Sequence, residues 1–114
     1  MKPIRQGDVL LFPVSTLPFG LEPVPLDRGR VILAYGEMTG HAHAIALDPA
    51  EVVEGAIRKA QLYALKNGQR FLEVREPVAL THEEHTAHQI PPGLYEVPIQ
   101  VDMTIDRLPR RVAD

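Results

Sequence analysis

Eleven prolines in 114 residues constrain this chain more than any other feature. Proline has no N–H to donate and fixes its own φ, so it interrupts helix interiors but suits turns and strand ends. That argues against a helical bundle and for short strands. With 45% apolar and 24% charged residues, a chain of this length can enclose one modest core. We expect an all-β fold: a single domain over residues 1–114, a small β-barrel or sandwich with one short helix.

The hydrophobic pattern gives the elements. Asp8 to Val14 follows a Gly turn and reads as a first strand, and Arg30 to Tyr35 as a second, well-buried one. Between them, Pro18, Gly20, Pro23 and Pro25 indicate a loop over the surface. Gly36 to Gly40 is a turn, from which His41 to Ile45 leaves as a third strand. Asp48-Pro49-Ala50-Glu51 has the composition of a helix start. Whether that helix runs to Asn67-Gly68 stays open. Gly55 would then lie in its middle, whereas alternation in Ala60–Leu65 and Arg70–Val74 makes Asn67-Gly68 a two-residue hairpin turn. The hairpin, after one helical turn at 49–54, is the favoured reading. Val78 to Leu80 and a long strand from Leu94 to Met103 complete about seven strands, with Pro98 marking an edge or bulge.

Composition removes several function classes. The absence of cysteine excludes disulfides, Fe–S sites and thiol catalysis. A net charge of −3 with scattered Lys and Arg offers no footprint for nucleic acid, and 5% aromatic content supplies few stacking platforms. Arg107 to Arg111, flanked by Asp106 and Asp114, reads as a solvated tail. The first residues lack the apolar run of a signal peptide, and Val9 to Val14 is too short to cross a bilayer. A cytoplasmic location is expected, with no membrane partner.

All five histidines fall in two short segments, His41 and His43, then His82, His85 and His88. Residues two apart in a strand share a face, so His41 and His43 form a preformed pair of imidazoles. His82 and His85 converge only if residues 81–88 leave regular strand geometry, and the polar string Thr-His-Glu-Glu-His-Thr-Ala-His favours that. Imidazole is the commonest ligand for several divalent metals. We therefore expect His41, His43, His82 and His85 to bind one divalent ion (zinc, iron, manganese or nickel), with His88 a bystander. Glu83, Glu84 and Glu37 are the candidate carboxylates. Either of the first two is the candidate acid/base acting on a metal-bound water. Thr39 and Thr81 are explained by their places where strand meets turn, although their hydroxyls can also support the site.

Two resemblances rest on these residues. Gly36-Glu37-Met38-Thr39-Gly40-His41-Ala42-His43, Leu80-Thr81-His82-Glu83-Glu84-His85 and Ile90-Pro91-Pro92-Gly93-Leu94-Tyr95-Glu96-Val97 resemble the motifs of a family of uncharacterised small bacterial and phage proteins over roughly residues 5–104. That family implies no particular activity. Gly36 with His41-Ala42-His43, and the turn Ile90-Pro91-Pro92-Gly93, also resemble the two motifs of the cupins. The cupin likeness implies a β-barrel holding a metal through His41, His43 and Glu96, where Glu96 stands in place of the cupin histidine. The glutamate that cupins place shortly after the pair has no counterpart here.

Three functions follow as expectations. The first is a metal-dependent hydrolase or lyase using metal-bound water, an iron-dependent oxygenation being open to the same ligands. The second is a module that captures a small-molecule ligand or a partner protein without turnover. The third is a homo-oligomeric structural protein that pairs through an edge strand such as 94–104.

Overall fold

The computed structural model describes residues 2–36 and 41–98, together with the backbone of two short strands, 101–103 and 109–111. The expected turn at 36–40 lies outside the described residues apart from Gly36, and so do Glu37 and Thr39. The fold is almost entirely β. In chain order its elements are β1 (Ile4–Gln6), β2 (Val9–Val14), β3 (Glu22–Pro23), β4 (Arg30–Tyr35), β5 (Ala42–Ala46), α1 (Pro49–Val52), β6 (Ala60–Ala64), β7 (Arg70–Val74), β8 (Val78–Leu80), β9 (His88–Ile90), β10 (Gly93–Glu96), β11 (Val101–Met103) and β12 (Pro109–Arg111).

Two layers enclose the core. One is a six-stranded sheet in the order β1-β2-β10-β7-β6-β3. The other is made of the pairs β4-β5 and β8-β9, joined by an antiparallel bridge between Ala44 and Thr81. The sheets do not close on one another, so the sandwich half of the expectation holds and the barrel half does not. Leu11, Leu62, Leu72, Val74 and Tyr95 from the first layer meet Val31, Leu33, Ile45, Val78, Leu80 and Ile90 from the second in one cluster. Each such aliphatic side chain, fully buried, contributes about 1.5–3 kcal/mol relative to exposure.

The alternation in 60–74 produces the expected hairpin, β6 on β7, with Leu62 opposite Leu72. Its turn differs in kind. A two-residue turn with Asn-Gly at its centre would need φ > 0 at both residues. Only Gly68 has it, at 95°. Instead the Gly68 N–H donates to the Leu65 carbonyl at 2.9 Å and the Leu65 N–H to the Gln69 carbonyl at 2.8 Å, a wider loop with glycine at its bulge. The expected long strand from Leu94 to Met103 is also interrupted. β10 ends at Glu96, the Val97 N–H makes a last bond to the Arg70 carbonyl, and Pro98 has no N–H with which to continue. Within the C-terminal basic segment, the backbone of Pro109–Arg111 pairs antiparallel with Val101–Met103. The proline-rich surface loop supplies the edge strand β3, paired with Tyr63 and Ala64. No helix among the described residues is long and apolar enough to cross a membrane.

In the connection from β5 to β6, residues 48–59 are held by one carboxylate. Glu51 Oε2 accepts the Asp48 N–H at 2.9 Å and lies 3.6 Å from Lys59 Nζ, while Oε1 accepts the Lys59 N–H at 2.6 Å. Burial raises the Glu51 pKa, but the two backbone donors and Lys59 outweigh it and leave it below 4.5. A lowered folded value means stability that is full above the ordinary carboxyl range and lost as pH falls through the folded value. Glu51→Gln is therefore expected to lower stability by about 1–3 kcal/mol at pH 7. The difference from the parent should shrink as the pH of the urea melts is taken below 4.5, and a gap constant down to pH 2.5 would refute this account.

Candidate metal centre

The site is assembled from three separate stretches of chain. The Ala44–Thr81 bridge fixes the first two: each N–H donates to the other's carbonyl at 2.9 Å. Directly opposed residues in an antiparallel pair share a face, so one step further His43 stands across from His82. Their rings stack at 4.2 Å between centroids. After Thr81 the chain leaves the strand until His88, as expected of so polar a segment. The bend brings His85 back over the pair, its ring 4.7 Å from His82 and 5.6 Å from His43. On the other side of His43 the β4–β5 ladder is bulged at Leu33, whose carbonyl accepts from Arg70 at 2.7 Å.

The third stretch is β1 and its turn, which sequence reasoning did not connect with the histidines. Gln6 is only 1% exposed, and its Nε2 donates both to the Leu80 carbonyl at 2.8 Å and to the Thr86 carbonyl at 3.0 Å. Those two carbonyls flank the histidine bend, so one amide ties its ends together. Because carbonyls only accept, the amide orientation is fixed and Oε1 faces His43 Nδ1 at 2.9 Å. His43 Nδ1 must then be the protonated nitrogen of the neutral ring, and Nε2 carries the lone pair. Gly7 follows with φ of 56°, and a Cβ there would lie 2.7 Å from His85 Nε2. Glycine is thus favoured twice over, by the positive φ of the turn and by the imidazole resting on it. The His85 Nε2 atom is buried, with no hydrogen-bond partner among the described residues.

The glutamates between the histidines divide in placement. Glu83 turns inward to the chain: both carboxylate oxygens accept the Ala42 N–H, at 3.1 and 3.3 Å. Burial pushes its pKa up, but its own N–H, the Ala42 N–H and the nearby His41 and His82 outweigh that and leave it below the ordinary value. The Glu84 side chain is 54% exposed and its Oε1 lies 4.0 Å from His41 Nδ1. The Glu84 N–H donates to His82 Nδ1 at 3.0 Å, which puts the proton of neutral His82 on Nε2.

The sequence-predicted residues therefore meet, with a different grouping. His43, His82 and His85 bring one nitrogen each to within 4.8 Å of one another. His41 joins His82 and Glu83 in a second group of the same span. The expected preformed pair of His41 and His43 is split between the two, because β5 begins at Ala42 and the strand rule does not extend to His41. His88 lies on β9 opposite Leu80 and enters neither group. Glu96, the acid implied by the cupin likeness, lies on β10 between Phe12 and Phe71 and also enters neither.

Fold and site together define a small β-sandwich protein with a cluster of imidazoles between its layers. The family described as a domain of unknown function, DUF8820, matches residues 5–100, and the chain belongs to it. Comparison with curated proteins finds no match, and neither does comparison with solved structures.

The Gln6 clamp makes a prediction of its own. Gln6→Leu keeps the side-chain bulk but leaves two carbonyls and His43 Nδ1 without their partner, at about 1–3 kcal/mol for each buried group left unsatisfied. A drop in urea midpoint and loss of the Nδ1–H tautomer of His43 in ¹⁵N spectra are expected. An unchanged His43 tautomer would show that Gln6 does not set it.

Proposed function

We propose that His43, His82 and His85 bind one divalent transition-metal ion and leave a coordination position open to water. The observation that carries this reading is the approach of three imidazole nitrogens to within 4.8 Å, from two segments far apart in sequence. Three protein ligands with an open fourth position is the arrangement by which zinc-type centres activate water. The donor set suits zinc, iron or nickel better than a hard oxygen-seeking ion such as magnesium. The tautomer that Gln6 imposes on His43 supports the reading, since it aims the basic nitrogen away from the clamp.

The chemistry that fits is hydrolysis of a small-molecule substrate. An ion held there would supply an activated water, and Glu84, exposed and not committed to the backbone through its carboxylate, would be the base that takes the proton. Glu83 is the poorer base because the Ala42 N–H holds its carboxylate in the charged form.

Elemental analysis of the protein loaded with zinc, cobalt, nickel or manganese and then dialysed should find a retained stoichiometric ion. His85→Gln and His43→Asn are expected to lose it, and His88→Ala to keep it. Retention of full metal content by both of the first two variants would sink the proposal. For the reaction, Glu84→Gln should keep the metal and lose about 10²–10⁴-fold in turnover of a chromogenic ester. Equal turnover would remove Glu84 from the chemistry.

A further inference from the structure

We propose a second metal position, formed by His41, His82 and Glu83, that shares His82 with the first and faces the solvent side of the cluster. It rests on the reading that His43, His82 and His85 hold an ion. Nitrogen and oxygen ligands sit about 2.0–2.2 Å from a zinc-type ion, so any two of them lie within about 4.4 Å of each other. The described residues form two triads, each with its ligand atoms within 4.8 Å, and only His82 is common to both. An ion seated among His43, His82 and His85 does not also gather His41 and Glu83. Those two mark a separate position, and His82 lies between.

Histidine suits the shared place because its ring carries two nitrogens, each able to ligate. Holding an ion on each nitrogen requires the ring to lose its single N–H proton to solvent and His82 Nδ1 to release the Glu84 amide, now 3.0 Å away. Charge sets the order of filling. The first triad is three neutral rings, in a place where His43 is 1% and His82 8% exposed. A second divalent cation beside the first is repelled by it. Glu83 and the deprotonated His82 ring together supply the two negative charges that offset this. Glu83 is already in place, pinned by the N–H of Ala42, the residue between His41 and His43. The His41 side chain, 21% exposed beside a 54% exposed Glu84, opens that position to solvent. The second ion is thus the later, weaker and more exchangeable one.

Zinc titration of the chelator-stripped full chain, followed by calorimetry, tests this. Two successive phases and a total of two ions per chain are expected. His41→Ala and Glu83→Gln should each abolish the weaker phase and leave the tight one within about threefold. His41→Ala, at a partly exposed position, keeps the test informative if Glu83→Gln fails to fold. Saturation at one ion, with both variants unchanged, would overturn the second position while leaving the first intact. No binding at all would overturn both. Copper(II) reports on the shared ring: a bridging imidazolate couples the two spins, so the two-copper form should show less than twice the integrated paramagnetic resonance signal of the one-copper form. Two fully additive signals would overturn the sharing of His82.

Discussion

Two backbone hydrogen bonds between Ala44 and Thr81 hold the rest of the site in register. They join the pair β4-β5 to β8-β9, so the second layer of the sandwich exists as a surface against which Leu11, Leu62 and Leu72 can pack. They also decide the chemistry, because a slip of one residue turns every side chain of a strand to the other face. In the observed register His43 and His82 stack inside the molecule. One residue out, His82 would face away and Thr81, now exposed, would take its place. The Gln6 amide then secures what the bridge has aligned, holding the carbonyls of Leu80 and Thr86 at either end of the bend. A site drawn from residues 6–7, 41–43 and 82–85 thus depends on the packing of both layers.

Much of this was legible in the sequence, and the reasons for the rest are physical. β4 occupies Arg30–Tyr35 as its apolar run implies, and Pro49 opens a single helical turn as its neighbours imply. These are local features, and local sequence carries them. The irregularity of residues 82–87 was also readable, from the weak strand-forming character of Thr-His-Glu-Glu-His. Register was not. Nothing in the chain before folding says that Thr81 pairs with Ala44, or that Gln6, one polar residue in a three-residue strand, reaches both histidine segments. Turn type differs from expectation for a related reason. Asn67-Gly68 sits in a bulged loop, while the tight two-residue turn with positive φ at both centres is Arg28-Gly29, closed by paired bonds between Asp27 and Arg30. Arginine at positive φ carries no turn signal, and tertiary contacts such as Tyr35 Oη to Asp27 Oδ2 at 2.6 Å support it instead.

Glu83 and Glu84 are neighbours of the same type with separate physical fates. In the antiparallel register Glu83 falls opposite Ala42, the first residue of β5, and its carboxylate rather than a carbonyl accepts the Ala42 N–H. Fixing Ala42 also fixes the backbone on which His41 and His43 are carried. Glu84, one residue on, contributes its N–H to His82 and sends its carboxylate outward toward His41. One acid is therefore tied to the backbone at the edge of the cluster, while the carboxylate of the other is left at its mouth. Spacing alone does not separate these roles. Their separation follows from which carboxylate meets a backbone N–H at a strand end.

The cluster is costly for the fold that contains it. Gln6, His43 and His82 are buried, where aliphatic side chains would pack without any need for matched donors and acceptors. Replacing buried polar networks by apolar residues of similar volume is often neutral or stabilising. Stability alone therefore does not account for a glutamine that fixes a tautomer, a glycine cleared of its Cβ to admit an imidazole, and three rings gathered within 4.8 Å. Each of these orients or makes room for an imidazole nitrogen, and none enlarges the core. Neutral imidazoles collected in this way would offer lone pairs to a cation once His82 Nδ1 releases the Glu84 N–H, and protonating several at this spacing would set like charges against each other in a poorly solvated place. A metal ion held there, as proposed, would relieve that conflict, since one centre of positive charge would satisfy all three rings at once. The polar expense is concentrated at the nitrogens, which is where a ligand-binding role, rather than a packing role, would require it.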